Sequence, residues 1–333
     1  MRIGILSFAH LHAEAYIGNL RATPGVEMIG IADENLERGR RFADQFGATL
    51  YPDYAALLAD KPDGVLVCSE NARHRPLVEM AADAGVHILS EKPLATSLED
   101  ARAMSDVCDQ AGVKLMTAYP MRFSTPMVEI KTLVESGRLG KIFACNTSNQ
   151  GELPRHHREW FVDAELAGGG AIMDHTVHLA DLLRWFLGCE VVEVYAQTNQ
   201  VFHADCVDVE TGGLIMLTFE DGTFASIDCS WSRPKTWPTW GGLEMKLVAE
   251  NGVVDVDAFR QNLVVHSSHS AKPTWANWGS DANQAMIEEF VQAIRQDRQP
   301  LVTGFDGYKS LEVALAAYRS VESGQPVKLP LRK

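Results

Sequence analysis

No two cysteines stand at CxxC spacing; Cys68, Cys108, Cys145, Cys189, Cys206 and Cys229 are scattered singly. That pattern argues against a disulfide framework and suits reduced thiols in a cytoplasm. No apolar run reaches membrane-spanning length. Positive charge is also scarce, with 30 Lys and Arg against 44 Asp and Glu, a formal net charge of −14. Long-range electrostatics of that sign oppose binding to nucleic acid or to an anionic membrane. Internal repeats, low-complexity segments and flexible linkers are missing as well. What remains is 333 residues, 46% of them hydrophobic, which is enough for two domains with a core each.

Residues 2–118 alternate short apolar runs with amphipathic stretches. Ile3–Leu6, Met28–Ala32, Gly64–Cys68, His87–Leu89 and Lys114–Ala118 read as buried parallel strands, with Leu50–Tyr51 a weaker candidate. Helical patterns near 11–22, 36–46, 53–59, 74–84 and 97–111 separate them. Repeated βα units imply a doubly wound sheet with a ligand crevice at the carboxyl ends of its strands. The second half reads differently. A helix is expected over 124–137, then strands at Ile142–Asn149, Glu190–Thr198, Val209–Phe219, Thr223–Trp231, Glu244–Ala249, Val253–Val256 and Asn262–His266. Glu220-Asp221-Gly222 and Glu250-Asn251-Gly252 are hairpin signals. A large, mostly antiparallel open sheet follows, with a helix over 174–187 packed on it and further helices at 281–296 and 308–322. The fold class is therefore α/β, a Rossmann domain over 1–120 followed by an α+β domain over 121–333. An open sheet of this size exposes a face, so a homo-dimer or homo-tetramer is expected.

A dinucleotide-binding turn after the first strand normally reads Gly-x-Gly-x-x-Gly, but here Ser7, Ala9 and His12 stand in those places. Small side chains at 7 and 9 still let a phosphate approach the helix N-terminus, where amides and dipole favour an anion. Asp33 closes the second strand and suits ribose hydroxyls, and it opposes a 2′-phosphate; as an Asp it also suits a helix cap. Lys92, held between Glu91 and Pro93, can present its ammonium to a ligand oxygen. Asp174 and His178 lie four residues apart on one helix face, just after the glycines at 168–170. An ionisable pair in that position suits proton transfer beside a bound small molecule.

Taken in order, four pieces resemble the Gfo/Idh/MocA family of nicotinamide-dependent oxidoreductases over nearly the whole chain. They are Ser69-Glu70-Asn71-x-x-His74, Glu91-Lys92-Pro93, Glu165-Leu-Ala-Gly-Gly-Gly with Asp174-x-x-x-His178, and Thr303-Gly-Phe-Asp-Gly307. The resemblance implies a Rossmann domain and a sheet-rich domain that carries substrate and oligomer contacts. It implies hydride exchange between nicotinamide and a CH–OH carbon of a sugar, sugar derivative or inositol, with Lys92 and His178 handling the alcohol proton and Asp174 supporting them. The expected cofactor is NAD, with NADP less favoured because of Asp33. Its expected contacts are Ser7, Phe8, Ala9 and His10 in the first turn, Asp33, Ser69, Asn71 and His74, then Glu91 and Lys92. Tyr119, Arg122, Trp160 and His175 are the expected substrate contacts, and a neutral polyhydroxylated small molecule is the expected partner. Trp231, Trp237, Trp240, Trp275 and Trp278 read as packing or interface residues. His156, His157, Asp174, His175 and His178 offer ligands of the kind zinc takes, but their spacing matches no metalloprotease pattern, so no metal is expected. A redox-neutral glycosidase or epimerase that uses NAD, and a non-catalytic regulator binding NAD or sugar, are the alternative functions.

Overall fold

The computed structural model describes residues 1–260, 262–269, 274–277 and 279–332. The chain opens with β1 (Arg2–Leu6), α1 (His12–Ala22), β2 (Glu27–Ala32), α2 (Leu36–Phe46), α3 (Tyr54–Ala59) and β3 (Gly64–Val67). It continues with α4 (His74–Asp83), β4 (His87–Ser90), α5 (Leu98–Ala111) and β5 (Leu115–Thr117). The five strands form one parallel sheet in the order β2-β1-β3-β4-β5. Their central residues are apolar and buried, which is why each strand reads as a short apolar run. Leu50 adds a single bridge beside Ile31, the remnant of the weaker strand expected there. Local signals set the helix limits. Asn35 caps α2 by accepting from the Arg38 amide, a place the sequence also offered to Asp33, and Ser97 caps α5 by accepting from the Asp100 amide.

Next come α6 (Thr125–Glu135), β6 (Ile142–Gly151), α7 (Ala164–Ala167), α8 (Ala171–Leu187), β7 (Val191–Asn199), β8 (Gly212–Phe219) and β9 (Phe224–Ser230). They are followed by β10 (Gly241–Ala249), β11 (Gly252–Asp257), β12 (Asn262–Val265), β13 (Thr274–Asn277), α9 (Ala282–Arg295), α10 (Gly304–Ser323) and β14 (Val327–Lys328). Seven strands make one sheet, β11-β10-β6-β9-β8-β7-β14, antiparallel throughout except where β6 runs parallel to β9. The strand expected at 262–266 is not part of it: among the described residues β12 pairs only with β13, as a separate two-stranded ribbon. Leu263, Val264 and Val265 are exposed there, so no core draws that segment into the large sheet. Trp278 and the side chain of Trp275 lie outside the described residues.

Two compact units result. The first holds Met1–Pro120, Glu165–Gly168 and Ala282–Leu311; the second holds Met121–Ala164, Gly169–Asp281 and Glu312–Lys333. The division expected from sequence, 1–120 and 121–333, gave the two later segments of the first unit to the second domain. They belong to the first because their side chains bury there. Met286, Ile287, Phe290 and Val291 of α9 are buried, and Phe290 packs so close to Gly64 that a Cβ at that glycine would lie 3.1 Å away. Asn71 donates to the Ala167 carbonyl (2.9 Å), and Thr303 bridges to Met116 at the edge of the parallel sheet. In the second unit α8 covers one face of the large sheet, with Ile172 against Gly213 and Thr176 against Cys229. On the opposite face Leu214, Met216 and Phe224 are exposed. Among the described residues, no helix is long and apolar enough to cross a membrane.

Candidate active site

In the first unit the candidate side chains collect where the parallel sheet changes winding direction, with β2 on one side of β1 and β3 on the other. The turn after β1 is built without glycine. Ser7 adopts φ 73°, and its Oγ accepts from the Ala9 amide (3.1 Å). Phe8 packs against Phe42 with ring centroids 4.9 Å apart, and its amide donates to Asp33 Oδ2 (2.7 Å). The His10 amide donates to the Cys68 carbonyl (2.8 Å). Asp33 is fully engaged: it accepts from the amides of Phe8 and Asn35 and from the Arg38 guanidinium through Nε and Nη2. Arg38 Nη1 lies 3.6 Å from Glu70 and Nη2 lies 3.4 Å from Ser7 Oγ, so a cation stands over this turn.

The β3 and β4 ends meet the same region. Ser69, Asn71, Glu91 and Lys92 are buried. His74, expected to touch cofactor, is buried and its Nδ1 donates to the carbonyls of Pro93 and Leu94 (3.1 Å each), so it ties two crevice loops together. Burial holds its imidazole below the ordinary value, although those carbonyls oppose the shift. Glu91 Oε1 accepts from His12 Nδ1 (3.0 Å), and its Oε2 accepts from the Lys92 amide (3.1 Å). Burial works to raise the Glu91 carboxyl, but His10, His12 and the Tyr16 hydroxyl outweigh it and hold the group well below the usual carboxylate range. Tyr119 is buried at the end of this unit, after β5.

In the second unit the first turn of α8 carries the other candidates. The helix begins at Ala171, before the start expected at 174, because its N-terminus is capped from a distance. Glu210 accepts from the amides of Gly170 and Ile172 (3.0 and 2.9 Å) and from the Tyr318 hydroxyl (2.7 Å). A carboxylate facing free amides at a helix N-terminus is favoured by the dipole. The glycines are required there: a Cβ on Gly169, at φ 150°, or on Gly170 would overlap the Tyr318 hydroxyl or the Glu210 carbonyl.

One turn into α8, Asp174 Oδ2 accepts from Trp231 Nε1 (3.2 Å) and lies 3.5 Å from His175 Nε2. The other nitrogen of His175 lies 2.9 Å from Asn149 Oδ1, so this ring is held between Asn149 and Asp174. His178 follows one turn later and is half-buried. Arg122, expected at the substrate, clasps Asp181 of α8 through Nε and Nη2 (2.7 and 2.6 Å) with both groups buried. That pair pins α8, and removing one partner of such a buried pair typically costs about 3–5 kcal/mol. Trp160 stacks on Phe161 with centroids 4.1 Å apart, and the rings of His156 and His157 lie 3.9 Å apart. Trp231, Asn149, Glu210 and Tyr318 were not picked out as site residues from sequence, since their roles depend on partners far away in the chain.

Residues 1–119 match the model of an oxidoreductase family with an NAD-binding Rossmann fold, and residues 127–255 match the Gfo/Idh/MocA C-terminal domain. The chain belongs to the Gfo/Idh/MocA family. It is 30% identical to the 1,5-anhydro-D-fructose reductase of Ensifer adhaerens over 98% of both chains. Identity is again 30% to D-xylose 1-dehydrogenase (NADP(+)) 2 of Haloferax volcanii, over 99% of this chain and 100% of the other. The solved structure of GenD2 from gentamicin A biosynthesis, in complex with NAD, superposes with a TM-score of 0.89 at 24% identity, covering 99% of this chain and 97% of that one. The turn after β1 has no glycine, and side-chain contacts made by Ser7, Asp33 and Arg38 brace it.

Proposed function

We propose that the protein is a dehydrogenase acting on CH–OH groups, moving a hydride between nicotinamide and a carbinol carbon of a sugar, sugar derivative or inositol. The observation that carries this reading is the first turn of α8, where Trp231 and His175 fix Asp174 one turn before His178. A chain with an NAD-binding Rossmann segment and that turn has the parts for hydride and proton movement. Full-length relatives that reduce anhydrofructose or oxidise xylose support the polyhydroxylated substrate class.

In this proposal Lys92 and His178 carry the alcohol proton and Asp174 supplies a fixed negative charge beside His178. His175 and Asn149 keep Asp174 in place, while Trp160 and Tyr119 border the sugar. Nicotinamide, when bound, accepts or returns the hydride; the residues of this chain orient the carbinol and move its proton. With Arg122 committed to Asp181, a neutral substrate is favoured over a carboxylate or phosphate. Asp33 favours NAD, and Arg38 narrows the preference. The exposed Leu214, Met216 and Phe224 support a homo-oligomer formed through the outer sheet face, and six free cysteines support a cytoplasmic setting. The test is a panel of sugars and polyols with NAD and with NADP, watching nicotinamide reduction. Turnover on at least one polyol is expected. Binding of NAD and a sugar with no turnover on any member would replace the enzyme with a sensor.

A further inference from the structure

His10 sits in the turn after β1, His12 opens α1, and Glu91 follows β4, so three segments of the first unit converge on one point. Their possible ligand atoms all lie within 4.8 Å of one another. The Nδ1 atoms of His12 and His10 lie 3.0 and 3.8 Å from the same oxygen, Glu91 Oε1. A tetrahedral ion with bonds of about 2.0–2.1 Å separates its ligand atoms by roughly 3.4 Å. The two spacings to Glu91 straddle that value, and the two imidazole nitrogens lie within 4.8 Å of each other, so small side-chain rotations bring the three atoms to a tetrahedral set.

We propose that His10, His12 and Glu91 form a binding site for a divalent transition metal of the Zn²⁺ type. Two imidazoles and one carboxylate are a ligand set suited to such ions, and they leave a fourth position for water or an anionic oxygen. The His12 amide donates to His10 Nδ1 (3.2 Å), so that nitrogen is unprotonated, and a bound ion would take over the lone pair now given to this amide. At His12 a bound ion takes the place of the hydrogen now shared with Glu91. A simple carboxylate–imidazole pair needs one histidine; here two rings with centroids 4.4 Å apart approach one oxygen. The surroundings also orient the ligands, as metal sites require: the Lys92 amide holds Glu91 Oε2, and the Tyr16 hydroxyl lies 3.5 Å from His12 Nδ1. His10 and Glu91 are buried while the His12 side chain is 20% exposed, which gives an ion an entry side. Its charge would reinforce a turn that has no phosphate-cradling glycines.

The test uses Co²⁺ as the probe on the full chain after stripping with chelator. One equivalent should bind, with the visible absorption of a low-coordinate nitrogen–oxygen site, and Zn²⁺ should displace it. His12→Asn and Glu91→Gln should each weaken binding by at least about 100-fold, with folding checked by circular dichroism. His156→Asn should leave binding unchanged. Should both ligand variants misfold, the stoichiometry and spectrum of the natural protein still decide. Absence of stoichiometric Co²⁺ binding there, or undiminished binding in a folded His12→Asn protein, overturns the site.

Discussion

Arg38 grips Asp33 at both carboxylate oxygens, with Nε 2.9 Å from Oδ2 and Nη2 2.8 Å from Oδ1. The acidic residue that would repel a 2′-phosphate is therefore paired with a cation that would attract one. An unpaired Asp in that notch would disfavour NADP by up to about 3 kcal/mol, and the pairing brings the expected preference for NAD nearer to about 1 kcal/mol, roughly fivefold in kcat/KM. Arg38→Gln should widen it by weakening NADP use more than NAD use. Steady-state rates with both cofactors check this. Better use of NADP by the natural protein, or no change in the ratio on losing Arg38, would sink the assignment.

Glu210 and Tyr318 are expected to act through α8 without touching substrate. Replacing Glu210 with Gln keeps one oxygen for the Gly170 and Ile172 amides but sets an NH2 donor against the Gly170 N–H where Oε2 now accepts, and removes the charge favoured at this helix end, at a cost of about 1 kcal/mol. Tyr318→Phe removes one hydrogen bond to the same carboxylate and should cost about 0.5–1.5 kcal/mol. Because Asp174 rides on the first turn, kcat should fall in both variants while KM for NAD stays near its natural value. Urea unfolding beside steady-state rates measures the two effects. A Glu210→Gln protein with full stability and full kcat would show that this anchor does not set the helix start.

The stability of the first unit should depend on pH through His74. Its imidazole is held below 6.5 in the folded chain by burial, so the native state takes up its proton less readily than the unfolded one. The unfolded state then binds more protons as pH falls below about 6.5, and stability drops from there toward the folded-state value. Above 6.5 the contribution is complete. His74→Asn keeps a donor toward the Pro93 and Leu94 carbonyls but cannot titrate, so its stability should fall less between pH 7 and pH 5. Denaturant midpoints across that range, compared between the two proteins, give the answer. Parallel curves would contradict it.

The pattern of parallel strands was legible because strands buried on both faces must be apolar without interruption, as in Ile3–Leu6 and Val65–Val67. Residues whose neighbours are local were legible too. Asp174 and His178 share a helix face by spacing alone, and Glu91 and Lys92 follow a buried strand. What escaped the sequence was set by distant partners. The start of α8 depends on Glu210, so no local capping residue marks it. The Arg122–Asp181 pair joins residues far apart in sequence, and Trp231, core as its sequence suggests, also aims its N–H at Asp174, a contact no local pattern marks. β14 spans only Val327–Lys328, too short for any period, and exists because the edge of β7 offers it a ladder.

The proton-transfer assignment leads to the sharpest expectation, because it gives one proton to two residues far apart in sequence. If both serve one carbinol, each removes a contribution made only in the transition state when it is replaced. General acid–base catalysis contributes about 10²–10⁴-fold, so Lys92→Met and His178→Asn should each lower kcat by about that factor. NAD affinity should fall far less, since the proposed contacts at Ser7–His10 and Asp33 remain. Residues acting as a unit are not additive, so the double variant should be little slower than the worse single one. Calorimetry of NAD binding, run beside rates on the best substrate, separates loss of chemistry from loss of cofactor. Normal turnover in both single variants would remove these residues from the mechanism. Losses that multiply in the double variant would mean that they serve separate steps, and the shared-carbinol proposal would fall with that result.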